Sequence, residues 1–400
     1  MSLYLQVVSV KDAVERLLRM APTPRVERIR IEGAIGRVLA EDVRSDIDIP
    51  GFDRSVVDGY AVRAKDTAGA TDTIPAMLAL GGSVHMGMQE PSPLPDEACI
   101  YVPTGAALPP GADGVAMIEH TERMGDTVLI RRGVAPGENV LHKGEDFRKG
   151  SVVVQAGRLL RPQEIGVCAA AGASEISVLT KPVVGVISTG NELVPVEAMP
   201  APGQVRDVNA PMLASALQRL SCRPRCYEIV SDEEGVLGGV LESAARECDL
   251  VIVSGGSSKD TRDRVASTVG ALGKVLVHGI AIQPGKPTII GEIDGIPVIG
   301  LPGHPASAYV VFQVIVRPFI SLMTGRPFHE ERARATLASS VPSMKGREEY
   351  IRVRLENGRA YPIFGKSGLL NTLVASDGMI RIPSTSEGME AGEEVDVLPW

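Results

Sequence analysis

The 400-residue chain predicts a multidomain α/β protein whose central domain is a doubly wound, mostly parallel sheet. Three observations carry that expectation. After Lys181-Pro182, apolar runs of strand length alternate with stretches of helical period, the pattern of a buried parallel sheet covered by helices. On both sides of that region the texture changes to short strand-like pieces between Gly/Pro-rich turns, which reads as β structure without helices. Finally, 400 residues exceed the size at which a single core stops growing, so two to four domains are expected.

Taken in order, Ser9-Val10-Lys11-Asp12 reads as a capping box opening a helix with Val10, Val14, Leu17 and Leu18 on one face. A short apolar-periodic stretch follows near Ile35–Asp42. Between Pro50 and His142, pieces such as Tyr60–Arg63, Cys99–Val102, Val115–Ile118 and Thr127–Ile130 imply a small β module. Val152–Val154 and Ala169–Ala173 resume a mixed texture. The central domain is expected to use strands at Val183–Ile187, Arg225–Val230, Leu250–Val253, Lys274–Val277, Thr288–Ile290 and Val298–Leu301. Its expected helices are Ala210–Leu220 with Asn209 as cap, Glu234–Glu247, Asp263–Leu272 and the apolar Ala306–Thr324. Beyond Gly325-Arg326-Pro327, strands are expected at Arg334–Ala338, Tyr350–Leu355, Arg359–Ile363, Met379–Ile382 and Val395–Leu398, a compact barrel or sandwich of about 70 residues.

Composition excludes several functions. Aromatics at 4% leave little for stacking on bases or sugars, and a net charge of -8 opposes a general nucleic-acid binder. Five cysteines without a CxxC pair argue against zinc and for a reducing compartment. No secretory signal and no run of about 18 apolar residues is visible. The expectation is a cytoplasmic protein bound to neither membrane nor nucleic acid.

Three glycine-rich loops mark the site. Ser254-Gly255-Gly256-Ser257-Ser258, Gln283-Pro284-Gly285-Lys286-Pro287 and Leu301-Pro302-Gly303-His304-Pro305 each follow an apolar run. Glycine lets backbone N–H groups approach a ligand, and loops between strand and helix aim them at an anion. Asp260 and Asp263 follow the first loop, where two carboxylates suit a divalent cation bridging to phosphate; a helix cap is the plain alternative. Lys286, held between two prolines, is a pre-positioned cation or simply a surface lysine. Ser188-Thr189-Gly190-Asn191-Glu192 and Asp232 follow strands of the same sheet and add donors and carboxylates. Asp53–Tyr60 and Pro103–Ala106 are polar clusters that solvated turns would also explain. Among the histidines only His304 sits in a Gly/Pro loop, and no G-x-S-x-G elbow exists.

Taken together these residues resemble the molybdopterin molybdenumtransferase family, the MoeA and gephyrin E-domain family. The resembling segments are Asp48–Ser55 through Asp58-Gly59-Tyr60-Ala61-Val62, Pro103-Thr104-Gly105-Ala106, Lys143-Gly144-Glu145-Asp146, Ser188–Leu193, Asp207-Val208-Asn209, Ser254-Gly255-Gly256, Pro284-Gly285-Lys286-Pro287 and Leu301-Pro302-Gly303. They span essentially the whole chain in order. The resemblance implies four domains: 1–50 with 143–180 (mixed, discontinuous), 51–142 (inserted β module), 181–327 (a molybdopterin-binding type of α/β domain) and 328–400 (barrel-like β). It also implies insertion of molybdenum from molybdate into adenylylated molybdopterin, with AMP released. It implies Mg²⁺ held by Asp232, Asp263 and Glu192, and an oxyanion held by Lys286, Ser307, Arg347 and Ser367. The loop residues Ser254, Gly255, Gly256, Ser258, Pro302, Gly303 and Pro305 would line the same cradle. Asp58, Thr104 and Asp146 would complete the site across a homodimer, with the molybdopterin adenylyltransferase as an expected partner.

Three positions depart from the family pattern: Asp260 for a glycine, Gln283 for a lysine and His304 for an asparagine. Together they make the pocket less positive. Molybdopterin adenylyltransferases share the winding and the Ser-Gly-Gly turn, but do not need flanking β modules. A gephyrin-like scaffold is the other alternative, opposed by the intact set of acidic and cationic site residues.

Overall fold

The computed structural model describes residues 7–231, 233, 235–255, 259–326 and 332–400; of residues 259–263 it describes the backbone. The chain forms two compact units. One holds Leu179–Trp400, Gly36–Val38 and the N-terminal stretch ending at Glu27; the other holds Arg28–Ile35 and Leu39–Val178.

The first unit is organised by a six-stranded sheet: β1 (Val183–Ser188), β2 (Arg223–Cys226), β3 (Leu250–Ser254), β4 (Lys274–His278), β5 (Ile289–Ile293) and β6 (Ile296–Leu301), in the order β2-β1-β3-β6-β5-β4. The pairs β1–β2, β1–β3 and β3–β6 are parallel, whereas β5 is antiparallel to both β6 and β4. Only β5 is therefore reversed. The cause is local: Asp294 and Gly295, both at positive φ, make a two-residue hairpin turn between β5 and β6. Five strands still point one way, as a mostly parallel sheet requires.

The crossover helices are α2 (Asn209–Arg219), α3 (Val236–Glu247) and α4 (Lys259–Leu272), the last beginning a turn before the expected Asp263. The strand expected at Arg225–Val230 ends early at Cys226, and Val230 makes only an isolated bridge to Thr189. Helix α1 (Val10–Leu18) is capped by Ser9, whose Oγ accepts from the Asp12 N–H. Its buried face is Val10, Ala13 and Leu17, which share one core with Val184, Ile252, Ile299 and Phe312. The first helix thus completes a core built from strands more than 160 residues later.

Helix α5 (Pro305–Thr324) has the length and apolar character of a membrane span, although the expectation was that no such run exists. Most of it is buried inside the unit, with Phe312 and Phe319 fully enclosed. A helix packed on all sides needs no polar face. Its middle, Phe312–Val316, is π-helical just ahead of Pro318, whose missing N–H breaks the regular ladder.

Five C-terminal strands, Ala333–Leu337, Glu348–Glu356, Arg359–Pro362, Gly378–Ile382 and Glu394–Pro399, close on themselves into a barrel. Closure leaves no free edge around Val353, Ile380 and Val397 in its centre. The short strand Ile282–Gln283, from the second glycine loop, adds in parallel to Glu348–Glu349. That pairing fastens the barrel to the loop.

The second unit contains a six-stranded sheet ordered Gly114–Met117, Gly59–Val62, Ala98–Val102, Ala76–Ser83, Thr127–Ile130, Thr121–Met124. Just ahead of the apolar-periodic stretch near Ile35–Asp42 lies a short 3₁₀ segment at Ile31–Gly33. Pro162–Ala170 forms a helix that the Ala169–Ala173 texture did not indicate. Glu164 organises its start, accepting the Arg161 backbone N–H and the guanidinium groups of Arg161 and Arg158. The Arg161 hydrogen bonds, then Arg158, hold its carboxyl down at about 2. A carboxylate lowered on folding contributes stability above its unfolded pKa, and that stability is lost as pH falls through the folded value. Glu164→Gln is expected to lower the Tm near neutrality and to flatten the acid branch between about pH 4.5 and about pH 2, read by thermal unfolding across pH.

Candidate active site

The sheet brings the loops to one edge. Ser188 lies opposite Ser254, and Ser254 opposite Leu301, so β1, β3 and β6 end together. Reversed β5 begins at that edge, with Ile289 opposite Gly300. The turns after residues 188, 254 and 301, and the loop before 289, therefore leave the carboxyl side, where open α/β sheets bind ligands. Two cavities open there.

The first, about 930 Å³, is lined by Gln283–Pro287 and Ser307 and by barrel residues that include Arg347, Arg352 and Ser367. Lys286, Ser307, Arg347 and Ser367, four residues expected to hold an oxyanion, all line it, as does Gln283. Its walls carry five basic residues (Lys286, Lys345, Arg347, Arg352, Lys366) against one carboxylate, Glu349. An acidic protein thus concentrates positive charge in one hollow.

The loop geometry has a clear cause. Gly285 has φ +122°, and a Cβ there would fall 2.3 Å from Val311 Cγ2, so only glycine lets the loop lie against α5. Thr288 Oγ1 donates to the Gly285 carbonyl at 2.7 Å, and the Ile280 N–H donates to the Lys286 carbonyl at 2.9 Å. The exposed Lys286 side chain is thereby presented from a pinned backbone.

The second cavity, about 650 Å³, is lined by Glu192, Asp207, Asn209, Ser254, Gly255 and Gly303, with Thr189, His304 and Pro305 beside them. Asn209 was expected to cap α2. Instead Asp207 does so, its Oδ1 accepting the N–H groups of Asn209 and Ala210 at 3.0 and 3.2 Å. The Asn209 amide is left to tie two loops together. Its Nδ2 donates to Ser254 Oγ at 2.6 Å and to the Gly303 carbonyl at 2.8 Å. Both amide hydrogens are used, and the buried Oδ1 has no partner. Asn209→Ala is expected to destabilise this unit by about 1–3 kcal/mol, because it removes the bonds to the buried Ser254 hydroxyl and the part-buried Gly303 carbonyl, and urea unfolding would measure it. Glu192 folds back over Gly190, where a Cβ would fall 2.6 Å from Glu192 Oε2. Any side chain at 190 would displace that carboxylate.

His304 and Ser367 stand between the cavities, Ser367 Oγ and His304 Nδ1 lying 2.9 Å apart. Ser367 lines the first cavity, while Gly368 and His304 line the second. The expected single cradle is thus two hollows sharing a wall. Pro302 is buried and lines neither. Asp232, Gly256 and Ser258 lie outside the described residues, and the side chains of Asp260 and Asp263 likewise, although their backbone opens α4.

In the other unit, Asp58 and Thr104 meet: the Thr104 N–H and Oγ1 donate to Asp58 Oδ1 at 2.7 and 2.9 Å. The backbone bond, then the hydroxyl, holds the Asp58 carboxyl below the ordinary carboxylate range. Asp146 is exposed, its N–H donating to the Ile49 carbonyl, and among the described residues no hydrogen bond joins it to Asp58 or Thr104.

Arg352 and Asn209 are the site residues that sequence reasoning missed. The signal for Arg352 was present as a charge inside the apolar run Tyr350–Val353. Among the described residues no group of three or more metal-ligating side chains occurs, and Glu192 is the one expected ligand whose side chain is described. The second cavity nonetheless offers oxygen donors. Thr189 Oγ1 and Asn209 Oδ1 are buried and unpartnered on residues that line it with Glu192, and oxygen donors suit a hard cation such as Mg²⁺.

Three family models match in order: the MoeA N-terminal region (domain I and II) over residues 8–172, the probable molybdopterin binding domain over 185–321, and the MoeA C-terminal region (domain IV) over 334–400. A molybdopterin molybdenumtransferase from Staphylococcus aureus is 30% identical over 398 residues, covering 98% of this chain and 95% of the relative. Molybdopterin molybdenumtransferase 2 from Mycobacterium tuberculosis is 32% identical over 400 residues, covering 97% and 98%. A crystal structure of the molybdopterin biosynthesis moeA protein from Pyrococcus horikoshii superposes with a TM-score of 0.87 at 35% identity, covering 99% of this chain and 100% of that one. With matches over nearly its full length in both sequence and fold, the chain belongs to the MoeA family, that of the molybdopterin molybdenumtransferases.

Proposed function

We infer that this protein is a molybdopterin molybdenumtransferase, which inserts molybdenum from molybdate into adenylylated molybdopterin in molybdenum cofactor biosynthesis and releases AMP. The observation that carries the site reading is the basic cavity, with Lys286, Ser307, Arg347 and Ser367 on its walls, beside the acidic and amide-lined one. A tetrahedral dianion needs several fixed donors at once, and the first cavity supplies cations and hydroxyls from both the glycine loop and the barrel.

In this reading Lys286 and Arg347 hold the charge of molybdate, and Ser307 and Ser367 orient its oxygens. The second cavity receives the phosphate-bearing part of the pterin nucleotide, with Ser254, Gly255 and Gly303 as its loop contacts. Asp232, Asp263 and Glu192 would hold Mg²⁺, which supplies a counter-charge to the phosphate oxygens. The wall of His304 and Ser367 keeps the two substrates adjacent but separate. A homodimer sharing its sites, with Asp58, Thr104 and Asp146 contributing to them, belongs to the same proposal, as do a cytoplasmic location and a molybdopterin adenylyltransferase as supplier of substrate.

The purified protein, incubated with adenylylated molybdopterin, molybdate and Mg²⁺, is expected to release AMP only when all three are present. No AMP, with both ligands bound, would leave a scaffold. Adenylylated product formed from ATP and molybdopterin would mark an adenylyltransferase instead. Sedimentation velocity tests the dimer.

A further inference from the structure

The wall between the two cavities holds one side-chain contact whose direction decides what the first cavity offers to an anion. Ser367 Oγ lies 2.9 Å from His304 Nδ1, and among the described residues neither side chain has a second hydrogen-bond partner. Both residues are fixed through their backbones. The Ala306 N–H donates to the Ser367 carbonyl at 3.1 Å, and the His304 carbonyl accepts the Ala308 N–H at 2.9 Å in the first turn of α5. A hydroxyl has one proton to give, and a neutral imidazole has one donor and one acceptor nitrogen. Two arrangements therefore fit the same contact. If Nδ1 accepts, the Ser367 proton is spent on the ring and the hydroxyl has only lone pairs left for the cavity. If Nδ1 carries a proton, it donates to Ser367 Oγ and frees the hydroxyl proton for an anion.

We propose that His304 is a positioning residue for the oxyanion cavity: it donates from Nδ1 to Ser367 Oγ, so that Ser367 presents its own proton to the bound dianion. A dianion selects this arrangement, because the alternative sets hydroxyl lone pairs against its oxygens. His304 lines the second cavity and not the first, so it acts on the anion only through Ser367. An asparagine at 304 can bring an amide N–H to the place of Nδ1, whereas the imidazole makes the same contact depend on which nitrogen carries the proton. This rests on reading the first cavity as the molybdate site.

The test uses the full-length protein with sodium molybdate as the only ligand. Calorimetric titration is expected to show an affinity that falls about 10-fold in Ser367→Ala, and by a similar factor in His304→Phe, which keeps a ring in the wall without a donor. Because one residue acts through the other, the double variant should bind no more weakly than Ser367→Ala alone. His304→Asn should stay within about 3-fold of the unaltered protein. In protein labelled with ¹⁵N-histidine, the ring signals that His304→Asn lacks are those of His304. With molybdate bound, its Nδ1 should show the chemical shift of a protonated nitrogen, and this holds as a test even where His304→Phe fails to fold.

An unprotonated Nδ1 in the molybdate-bound protein overturns the proposal, and so does a folded His304→Phe that binds as tightly as the unaltered protein. Losses that add up in the double variant overturn it as well, since His304 would then act by another route. The same holds for a loss in His304→Asn equal to that in His304→Phe. No molybdate binding by the unaltered protein, or binding indifferent to Ser367→Ala, overturns the cavity reading together with the proposal. Absence of AMP release with binding intact counts against the transferase reading alone.

Discussion

Replacing Lys286 with alanine is expected to reduce AMP release by about 10²–10³-fold while leaving the Tm unchanged, as measured by steady-state turnover and thermal unfolding. The large effect follows from how the side chain is held. Two prolines, the Thr288–Gly285 hydrogen bond and the close approach of Gly285 to Val311 pin the backbone beneath it. Little entropy is lost when the ammonium meets an anion, so its removal forfeits nearly the whole interaction. Stability should not suffer, because the side chain is exposed. Lys286→Arg should restore part of the activity by keeping the charge. An active alanine variant would move the oxyanion out of this cavity.

The second large effect is expected at Glu192. Glu192→Gln keeps the size and the fold over Gly190, so only the charge is lost. Turnover should fall on the order of 100-fold, equivalent to about 2.7 kcal/mol of barrier, with added Mg²⁺ recovering part of it. Full activity at low Mg²⁺ would remove Glu192 from any metal role. A gain in stability alongside the loss would fit a carboxylate held in place for function rather than for folding.

Much of this molecule was legible before its coordinates, for identifiable reasons. The three glycine loops were readable because glycine and proline act on their own backbone, whatever surrounds them. Gly285, with φ +122°, is a local requirement that any sequence reader can suspect. Asp294-Gly295 was just as local, a connection too short for a parallel crossover, and it sets the one reversed strand. Asn209 shows the limit. As a residue ahead of an apolar-periodic stretch it reads as a cap, and only the Asp207 contacts free its amide to join Ser254 and Gly303, which are 45 and 94 residues away.

Residue types, their order and the turns they impose come from short-range sterics and periodicity, and these already pointed to a wound sheet with an anion site along one edge. The division of that edge into two cavities, the His304–Ser367 wall and the burial of Arg352 depend on the barrel closing and docking through Ile282–Gln283. Such pairings join segments tens to hundreds of residues apart. Their energy resides in burial and in unmet hydrogen bonds, quantities that exist only once the chain has folded.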